Sequence, residues 1–369
     1  MPASTVHFTN FHVEVGHSLL EKFRRLLLRA GMDKIDFDNK YVAIKIHFGE
    51  EGNLAYLRPE YARVLVDLIK ERGGKPFLTD SNTLYVGSRK NALEHLDLAH
   101  RHGFHPFAVG CQVLIADGLK GTDEVYVPVA DGQYVTEAKI GRAIMDADIV
   151  ISLNHFKGHE SAGFGGAIKN LGMGSGSRAG KMEMHAAGKP QVEKENCVGC
   201  RMCVRVCAQD AISFDEKGRA DISHDRCVGC GRCLGICNYD AICQGDDNSN
   251  EILGRRMAEY AKAVVDGRPS FHINMLQDVS PYCDCHPEND IPIIPDVGMF
   301  ASFDPVALDQ ACADAANRQE PMRGSLIQGA DHRHDRFASA HPDTDWADTL
   351  AHCEEIGIGT RAYEIVEMK

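Results

Sequence analysis

The sequence predicts a discontinuous, largely parallel α/β domain that is interrupted by a small, cysteine-rich α+β segment. Two observations lead to this prediction. Short apolar strand patterns alternate with helix patterns in both outer parts of the chain, and eight of the 14 cysteines fall between Cys197 and Cys237. A chain of 369 residues is long enough for two or three domains with hydrophobic cores.

The outer parts of the chain read as alternating strands and helices. The stretch HSLLEKFRRLLLRAG carries apolar residues at the spacing of one helix face and ends at Gly31, and LRPEYARVLVDLIKERGG has Pro59 near its start. Further helices are expected near 89–100, 137–146, 251–265 and 305–316. Buried strand patterns are YVAIKIHF, KPFLTD, QVLIAD, DIVISLNHF, FHINMLQDV and VGMFAS. This alternation is typical of a largely parallel sheet.

The cysteine-rich segment consists of two similar runs, CVGCRMCVRVCAQDAI from Cys197 and CVGCGRCLGICNYDAI from Cys227. Each run has the C-x2-C-x2-C-x3-C spacing of bacterial ferredoxins, in which the fourth cysteine binds the cluster of the other run. We therefore expect two 4Fe–4S clusters, in preference to a pair of zinc sites or structural thiols. The expected ligand sets are Cys197, Cys200, Cys203 and Cys237 for one cluster, and Cys227, Cys230, Cys233 and Cys207 for the other.

Between the runs, AISFDEKGRADISHD predicts a β-hairpin with a glycine in its loop. The fourth cysteines are followed by Ala208 and Asn238, where the ferredoxin pattern usually has proline. Polar linkers, GKPQVEKEN and QGDDNSNE, bracket the segment. The predicted domains are therefore an α/β domain formed by residues 1–190 and 246–369, and a ferredoxin-type insert at 191–245.

Polar and titratable residues follow the predicted strands. Since ligands bind beyond the carboxyl ends of strands in open α/β sheets, we expect these residues to share one edge. They are His47, Glu50, Asn53, Asp80, Asn82, Asp117, His155, Lys157, His159, Asp278, Cys283, Cys285 and Asp304. For Asp80, Asp117 and Asp304, each taken singly, a helix cap or turn is the favoured interpretation.

The densest polar stretch runs from residue 155 to 185. Its GFGGAIKN motif predicts backbone N–H groups that cradle an anion, although the glycines could merely allow a tight strand–helix connection. The candidate cofactor-binding residues are Gly163, Gly165, Gly166, Lys169 and Asn170. The candidate catalytic residues are His155, Lys157, His159, Lys169 and His185.

A second thiol cluster is present in PYCDCH. Cysteines two residues apart on an extended segment point to the same side, so Cys283 and Cys285 are expected to face one site near His155 and His159. Thiolate and imidazole are ligands for soft or borderline metals, so the pair could bind an additional metal. A redox-active thiol, a substrate-binding role and a small buried hydrophobe are the alternatives.

The composition and charge of the chain argue against several classes of function. A net charge of −13 and a pI of about 5.7 argue against binding nucleic acid or an anionic membrane. The start MPASTVHFTN lacks the features of a signal peptide, and no apolar run approaches membrane-spanning length. A cytoplasmic protein is therefore expected. The sequence does not indicate an oligomeric state.

Several motifs together carry a resemblance that extends over nearly the whole chain. VAIKIHFGEEGN, TDSNTLYVGSRKNALEHL, HFKGHESAGFGGAIKNLGMG, PYCDC and DVGMFASFDPVALDQA resemble the uncharacterised Fe–S center proteins with domain of unknown function 362. Similar sequences often have a cysteine at the position of Ser175. GFGGAIKN with His185 also resembles the Gly-Lys…His loop of nickel-pincer racemases.

The first resemblance implies a two-cluster redox protein of the kind found in anaerobic bacteria and archaea, with a redox partner protein. It does not supply a substrate. The first hypothesis is an iron–sulfur oxidoreductase whose insert passes electrons to or from a polar site at the sheet edge. The alternative is a non-enzymatic electron carrier or an accessory protein that handles a metal or cofactor.

Overall fold

The computed structural model describes residues 2–84, 87–186, 189–207, 209–227, 229, 232–244, 250–329 and 334–368. Its strands are β1 Ser4–Thr9, β2 Tyr41–Lys45, β3 Lys75–Asp80, β4 Gln112–Ile115, β5 Glu124–Pro128, β6 Glu137–Gly141, β7 Ile149–His155, β8 Lys157–His159, β9 Gly163–Gly165, β10 Pro190–Val192, β11 Ile212–Phe214, β12 Ala220–Ile222, β13 Ile242–Gln244, β14 Ser270–Leu276, β15 Gly298–Ser302 and β16 Tyr363–Glu367. Its α-helices are α1 Leu19–Arg29, α2 Pro59–Lys70, α3 Ala92–Arg101, α4 Pro106–Val109, α5 Arg142–Met145, α6 Ala167–Ser175, α7 Arg178–Ala186, α8 Met202–Arg205, α9 Arg232–Ile236, α10 Asn250–Val265, α11 Pro305–Asn317, α12 Arg336–Ala340 and α13 Trp346–Glu355.

The architecture is mixed α/β, as the sequence predicts. Eight strands form the central sheet in the order β16-β1-β15-β14-β7-β2-β3-β4. All neighbouring pairs are parallel except the two that involve β15. The strand pattern VGMFAS is therefore a strand, but it runs against the others. Its carboxyl end lies at the opposite edge of the sheet from the ends of β2, β3, β7 and β14.

Helices cover both faces of the sheet because each has one apolar side. On one face, Phe23 of α1 and Leu65 of α2 pack against the sheet in a core cluster. On the other face, Leu171 of α6, Met257 of α10 and Leu308 of α11 form the second cluster. No helix in the described ranges is long and apolar enough to cross a membrane.

The ends of α1 follow ordinary capping chemistry. The Ser18 hydroxyl accepts a hydrogen bond from the Glu21 N–H, and the Glu21 carboxylate accepts one from the Ser18 N–H, which forms a capping box. Gly31 follows the helix with a φ of 87°, a conformation that glycine adopts without strain. The predicted stop at Gly31 is confirmed.

The expected helix over 137–146 is wrong in its first half. Residues Glu137–Gly141 form β6, which pairs with β5 in an antiparallel hairpin, and the helix α5 begins at Arg142. The apolar residues Ala138 and Ile140 alternate with polar ones and are fully buried, which is the pattern of a half-buried strand. The predicted helices near 89–100, 251–265 and 305–316 are confirmed as α3, α10 and α11.

The cysteine-rich segment forms a small α+β unit. The predicted hairpin is present as β11 and β12, and a short helix follows each cysteine loop. Antiparallel pairing of β10 with β13 brings the two ends of the segment together. An apolar cluster inside the unit also contains Leu84 and Met182 from the α/β domain. The exact boundaries at 191 and 245 stay a prediction.

Candidate functional site at the sheet edge

A cavity of about 840 Å³, including the space at its mouth, lies beyond the carboxyl ends of β2, β3 and β7. Parallel strands bring these ends to one edge, where open α/β sheets bind ligands. Most of the candidate residues line this cavity. They are His47, Asp80, His155, Lys157, His159, Gly165, Gly166, Lys169, Asn170, His185 and Cys285. The structure thus brings them together, and their roles stay a prediction.

A buried charge network forms the floor of the cavity. The Lys45 ammonium is fully buried, 2.8 Å from an Asp80 oxygen and 2.7 Å from the Asn170 side-chain oxygen. Burial alone would raise the pKa of Asp80, but the charge of Lys45 holds that pKa well below its ordinary value. Asp80 is therefore an ion-pair partner and does not cap a helix.

Arg89 continues the network toward the loops. Its Nε lies 3.0 Å from a Glu50 carboxylate oxygen, and its Nη1 lies 2.8 Å from His47 Nε2. Burial and the charge of Arg89 lower the pKa of His47 well below its ordinary value. His47 is consequently a neutral ring at the cavity wall.

His155 is held on both sides by acceptors. Its Nδ1 lies 2.9 Å from the Asp284 carboxylate, and its Nε2 lies 2.8 Å from the Gln277 carbonyl oxygen. The Lys157 ammonium lies 3.3 Å from the same carboxylate. Both ring nitrogens are thus engaged in structural hydrogen bonds. His155 fixes Asp284 at the turn, and neither nitrogen is available to a substrate.

Cys283 lies at the centre of a group of donors. The Lys169 ammonium is 2.9 Å from its sulfur, the Cys285 N–H is 3.4 Å away, and the Cys285 thiol and His159 also hydrogen-bond to it. Burial alone would raise the pKa of Cys283, but the hydrogen bond from Cys285 and the charge of Lys169 hold it well below its ordinary value. The hydrogen bond to Cys283, together with burial, raises the pKa of Cys285. The pair therefore shares one negative charge, and the contact with the Lys169 ammonium favours its location on Cys283.

The predicted convergence of the CDC cysteines with a histidine is present at His159. Ligand atoms of His159, Cys283 and Cys285 all lie within 4.8 Å of one another. However, His159 Nδ1 accepts hydrogen bonds from the Ser161 and Ala162 N–H groups, at 3.0 and 3.1 Å. A neutral imidazole then carries its proton on Nε2, where it donates to sulfur. A metal-bound histidine normally donates through its other nitrogen, so this arrangement suits a thiolate better than a metal.

The prediction that the backbone N–H groups of GFGGAIKN are free to bind an anionic ligand is wrong. The N–H groups of Ala167 and Ile168 at the start of α6 donate to the two carboxylate oxygens of Asp309, at 2.8 and 2.9 Å. A Cβ at Gly166 would lie 2.4 Å from that carboxylate. The first turn of α6 is thus occupied by a buried side chain, and Lys169 faces the Cys283 sulfur.

Gly163 does not lie among the described residues that line the cavity. It begins β9 with a φ of 76°, and an added Cβ would lie 3.1 Å from the Trp346 side chain. A glycine is required at this position because the backbone has a positive φ and because the Trp346 side chain lies so close. Asn170 instead uses its side chain, which donates 2.7 Å to Asn154 Oδ1 and accepts from Lys45.

The far wall is formed by α7. Lys181 and His185 both line the cavity, and the Lys181 ammonium donates to the Gly176 carbonyl oxygen at 2.5 Å. Burial lowers the pKa of Lys181 to about 8, although Asp117 acts against this. Ser175, at the position where similar sequences often have cysteine, is fully buried.

The strand-end residues Asp117, Asp278 and Asp304 do not line the cavity. Asp117 accepts hydrogen bonds from the backbone and side-chain N–H groups of Asn82. Asp304 caps α11 at the opposite edge, where it accepts from the Val306 and Ala307 N–H groups. The expectation that Asp304 joins the site is wrong because β15 is antiparallel. Asp278 lies after β14 with a φ of 46°.

The first predicted cluster-ligand set surrounds a second cavity. This cavity, of about 330 Å³, is lined by apolar residues and by Cys197, Cys200, Cys203 and Cys237. The crossed pairing expected from the ferredoxin spacing places these same four cysteines around one cluster. The donor set therefore fits a 4Fe–4S cluster. In the second set, Cys230 lies outside the described residues.

Several residues of the sheet-edge site were not predicted from the sequence. They are Lys45, Arg89, Lys181, Asp284 and Asp309. Lys45 carried a usable signal, because a charged residue at the end of an apolar strand pattern needs a buried partner. Asp284 stands between the two cysteines, where alternation turns it away from their sulfurs. Nothing in the local sequence marks Asp309 as the partner of α6.

Comparison with known proteins finds a curated relative for part of the chain. A thylakoid-associated protein from Synechocystis is 29% identical over 126 residues, which cover 32% of this chain and 33% of that protein. The chain thus matches about a third of the length of this curated relative.

Two solved structures share 11% and 15% identity with the chain. The lactate racemase apoprotein from Thermoanaerobacterium thermosaccharolyticum has a TM-score of 0.36 over 74% of this chain and 50% of its own. A Thermotoga maritima protein has a TM-score of 0.39 over 82% of this chain and 60% of its own.

The family model described as "Domain of unknown function (DUF362)" matches residues 42–314. The chain therefore belongs to the DUF362 family.

Proposed function

We propose that this chain is an iron–sulfur redox protein whose ferredoxin-type segment exchanges electrons with the cavity at the sheet edge. The observation that carries the proposal is the position of Leu84. Leu84 lines the sheet-edge cavity, and it also belongs to the apolar cluster that contains Cys203, Cys233 and Cys237. A single side chain thus contacts both the substrate cavity and the core of the cysteine-rich segment.

The cysteine ligands proposed for the two 4Fe–4S clusters are the two crossed sets expected from the sequence. When bound, such clusters supply one-electron transfer. The protein supports the sulfurs with backbone hydrogen bonds, from Ala220 to Cys197 at 3.3 Å and from Ala211 to Cys207 at 3.4 Å. Hydrogen bonds of this kind help to set reduction potentials.

Polar contacts form the interface between the cysteine-rich segment and the α/β domain. The Lys90 ammonium donates to the Cys237 carbonyl oxygen at 2.8 Å and pairs with Asp240. The preceding residue, Arg89, lines the sheet-edge cavity. The fully buried Arg178 donates to the carbonyl oxygens of Thr83 and Lys90. These contacts fix the connection between the two sites, as an electron path requires.

The walls of the cavity indicate the class of substrate. Apolar side chains on one side include Leu153, Met173, Leu253 and Met257. Among the basic residues of the lining, Arg89 and Lys157 are paired with Glu50 and Asp284, and Lys169 contacts Cys283, so Lys181 is the cation left for an anionic group. A small molecule with an apolar body and an anionic group matches this lining.

The alternative function, a non-enzymatic electron carrier, rests on a different surface. Cys200 is exposed, and Val198 and Tyr239 beside the same cysteine cavity are 60% and 51% exposed. A redox partner protein that contacts these apolar side chains would approach the proposed cluster closely. The same surface serves the first hypothesis, since an oxidoreductase also needs an electron source.

The two functions are separated by blocking the cavity. Holoprotein is reduced anaerobically with one equivalent of dithionite per cluster, and reoxidation by small organic oxidants is followed by cluster absorbance. Met173→Trp, on the cavity wall, should slow this reoxidation strongly because the larger ring fills the binding space. Val15→Trp, at a fully exposed position, should leave it unchanged. Equal rates in both variants would contradict a substrate site and favour the carrier.

A further inference from the structure

We propose that Cys283 and Cys285 form a redox-active dithiol that reduces small, anionic organic disulfides in the sheet-edge cavity. The inference rests on the proposed function for its electron supply, while the thiol chemistry itself stands on the geometry of the site. The cluster of Lys169, His159, Cys283 and Cys285 supplies the nucleophile, the base and the positive charge that such chemistry needs.

The local backbone permits a disulfide between these two cysteines. The His286 N–H donates to the Cys283 carbonyl oxygen at 3.0 Å, which closes a turn over 283–286. Residues i and i+2 of such a turn lie within the separation that a disulfide requires. Asp284 between them faces the other way and is fixed by His155 and Lys157. The two sulfurs lie within 4.8 Å of each other.

The two cysteines have different positions and different tasks. Cys285 lines the cavity, whereas Cys283 is completely buried behind it. The two sulfurs share one proton, and when this proton lies on Cys283 the sulfur that faces the substrate is a thiolate and becomes the nucleophile. Before substrate binds, Lys169 and His159 Nε2–H stabilise the negative charge on the cysteine pair.

The exchange proceeds in two displacements. Cys285 attacks one sulfur of the substrate R–S–S–R as its proton passes to Cys283, which forms a Cys285–S–S–R bond and releases R–S⁻. The proton on Cys283 passes to that leaving thiolate. Cys283 then attacks the Cys285 sulfur, which forms the intramolecular disulfide and releases the second R–S⁻. The sum is one thiolate and one thiol consumed, and R–S⁻ and R–SH formed.

Regeneration requires two electrons and one proton, which convert the Cys283–Cys285 disulfide back into one thiolate and one thiol. Two one-electron carriers per chain match this requirement in number. Leu84 connects the cysteine-rich segment to the cavity that Cys285 lines. Because Arg89 and Lys157 are paired with carboxylates, the charge of Lys181 in the lining favours a substrate with a carboxylate.

The first test measures the dithiol itself and does not depend on electron transfer. Anaerobic holoprotein is equilibrated in dithiothreitol redox buffers, trapped with iodoacetamide and digested. We expect peptide mass spectrometry to find a Cys283–Cys285 disulfide whose fraction follows the buffer. Buried Cys312 should stay a thiol throughout and serves as the internal control. A pair that stays reduced over the whole range, or a third metal held by these cysteines, would overturn the proposal.

The second test removes the charge beside the thiolate. Lys169→Met should lower the dithiol-to-disulfide ratio about tenfold at a fixed buffer ratio, because a charge-assisted hydrogen bond stabilises the reduced form. Lys169→Arg keeps the positive charge and should restore most of the ratio. A purely structural lysine would change protein stability but leave this ratio unchanged in both variants, and that result would count against the proposal.

The third test addresses substrate class and electron supply. Reduced holoprotein should convert dithiodipropionate, an anionic disulfide, faster than cystamine, a cationic one. Equal rates, or a preference for cystamine, would overturn the assigned substrate class. If the Cys283–Cys285 disulfide forms in redox buffers but is not reduced when electrons enter the clusters, the dithiol stands and the proposed electron path fails.

Discussion

At the scale of single residues, the tautomer of His159 decides what the cysteine pair can bind. The convergence of Cys283 and Cys285 is predicted from alternation along an extended segment, but the structure brings them together through a turn that the His286 N–H closes on the Cys283 carbonyl oxygen. The protonation of His159 could not be predicted, because it depends on the backbone N–H groups of Ser161 and Ala162. Those groups turn an expected metal ligand into a hydrogen-bond donor.

Asp309 should be an unusually costly residue to remove, because it satisfies buried donors at the start of α6. Asp309→Ala leaves the Ala167 and Ile168 N–H groups without an acceptor, at about 1–3 kcal/mol for each buried group. Asn91→Ala removes a comparable two-amide cap from α3 at an exposed position, at about 1 kcal/mol. Urea denaturation measures both. Equal losses would contradict the role given to Asp309.

Asp117 should make stability depend on pH. Burial raises its pKa from 3.8 to about 6, so the folded state binds this proton more tightly than the unfolded state. Its contribution is fully present below about pH 4 and is lost as the pH rises through 6. The stability of the wild type relative to Asp117→Asn should therefore fall between pH 4 and pH 7.5, by on the order of 3 kcal/mol at about 1.4 kcal/mol per pKa unit. A difference that rises with pH would contradict the buried, poorly solvated carboxylate.

At the scale of elements, local sequence patterns predict strands and helices well where the burial of apolar side chains determines the structure. They fail where pairing with another segment determines it. The expected helix at 137–146 is half strand because Glu137–Gly141 pairs with Glu124–Pro128, whose Val-Tyr-Val run is a strand signal that the helix prediction did not take into account. The hairpin between the cysteine runs is predictable, since its turn residues and alternation are both local.

The paired strands β10 and β13 predict that the cysteine-rich segment can be excised. Because Val192 and Ile242 are neighbours across this ladder, a short Gly/Ser linker can replace residues 193–241. The remaining α/β domain should unfold cooperatively and keep the Cys283–Cys285 thiol chemistry, with a modest loss of stability from exposing Leu84 and Met182. Non-cooperative thermal unfolding of the excised chain would show that the segment is part of the main core.

At the scale of the whole molecule, the α/β class and the edge of the sheet that carries the site follow from the alternation of patterns. Strand direction does not. The reversed strand β15 moves Asp304 to the far edge, and no local feature of VGMFAS indicates that reversal. The burial of Lys45 between β2, β3 and α6 likewise needs three segments that are distant in sequence.

The proposed function depends first on the binding of two 4Fe–4S clusters by the chain. The most direct test is iron and acid-labile sulfide analysis of anaerobically purified protein, compared with Cys237→Ser. We expect about eight iron and eight sulfide per chain, and about half of each in the variant, which lacks a ligand to the cluster of Cys197, Cys200 and Cys203. Zinc in place of iron, or a wild-type content near four, would contradict the proposed function.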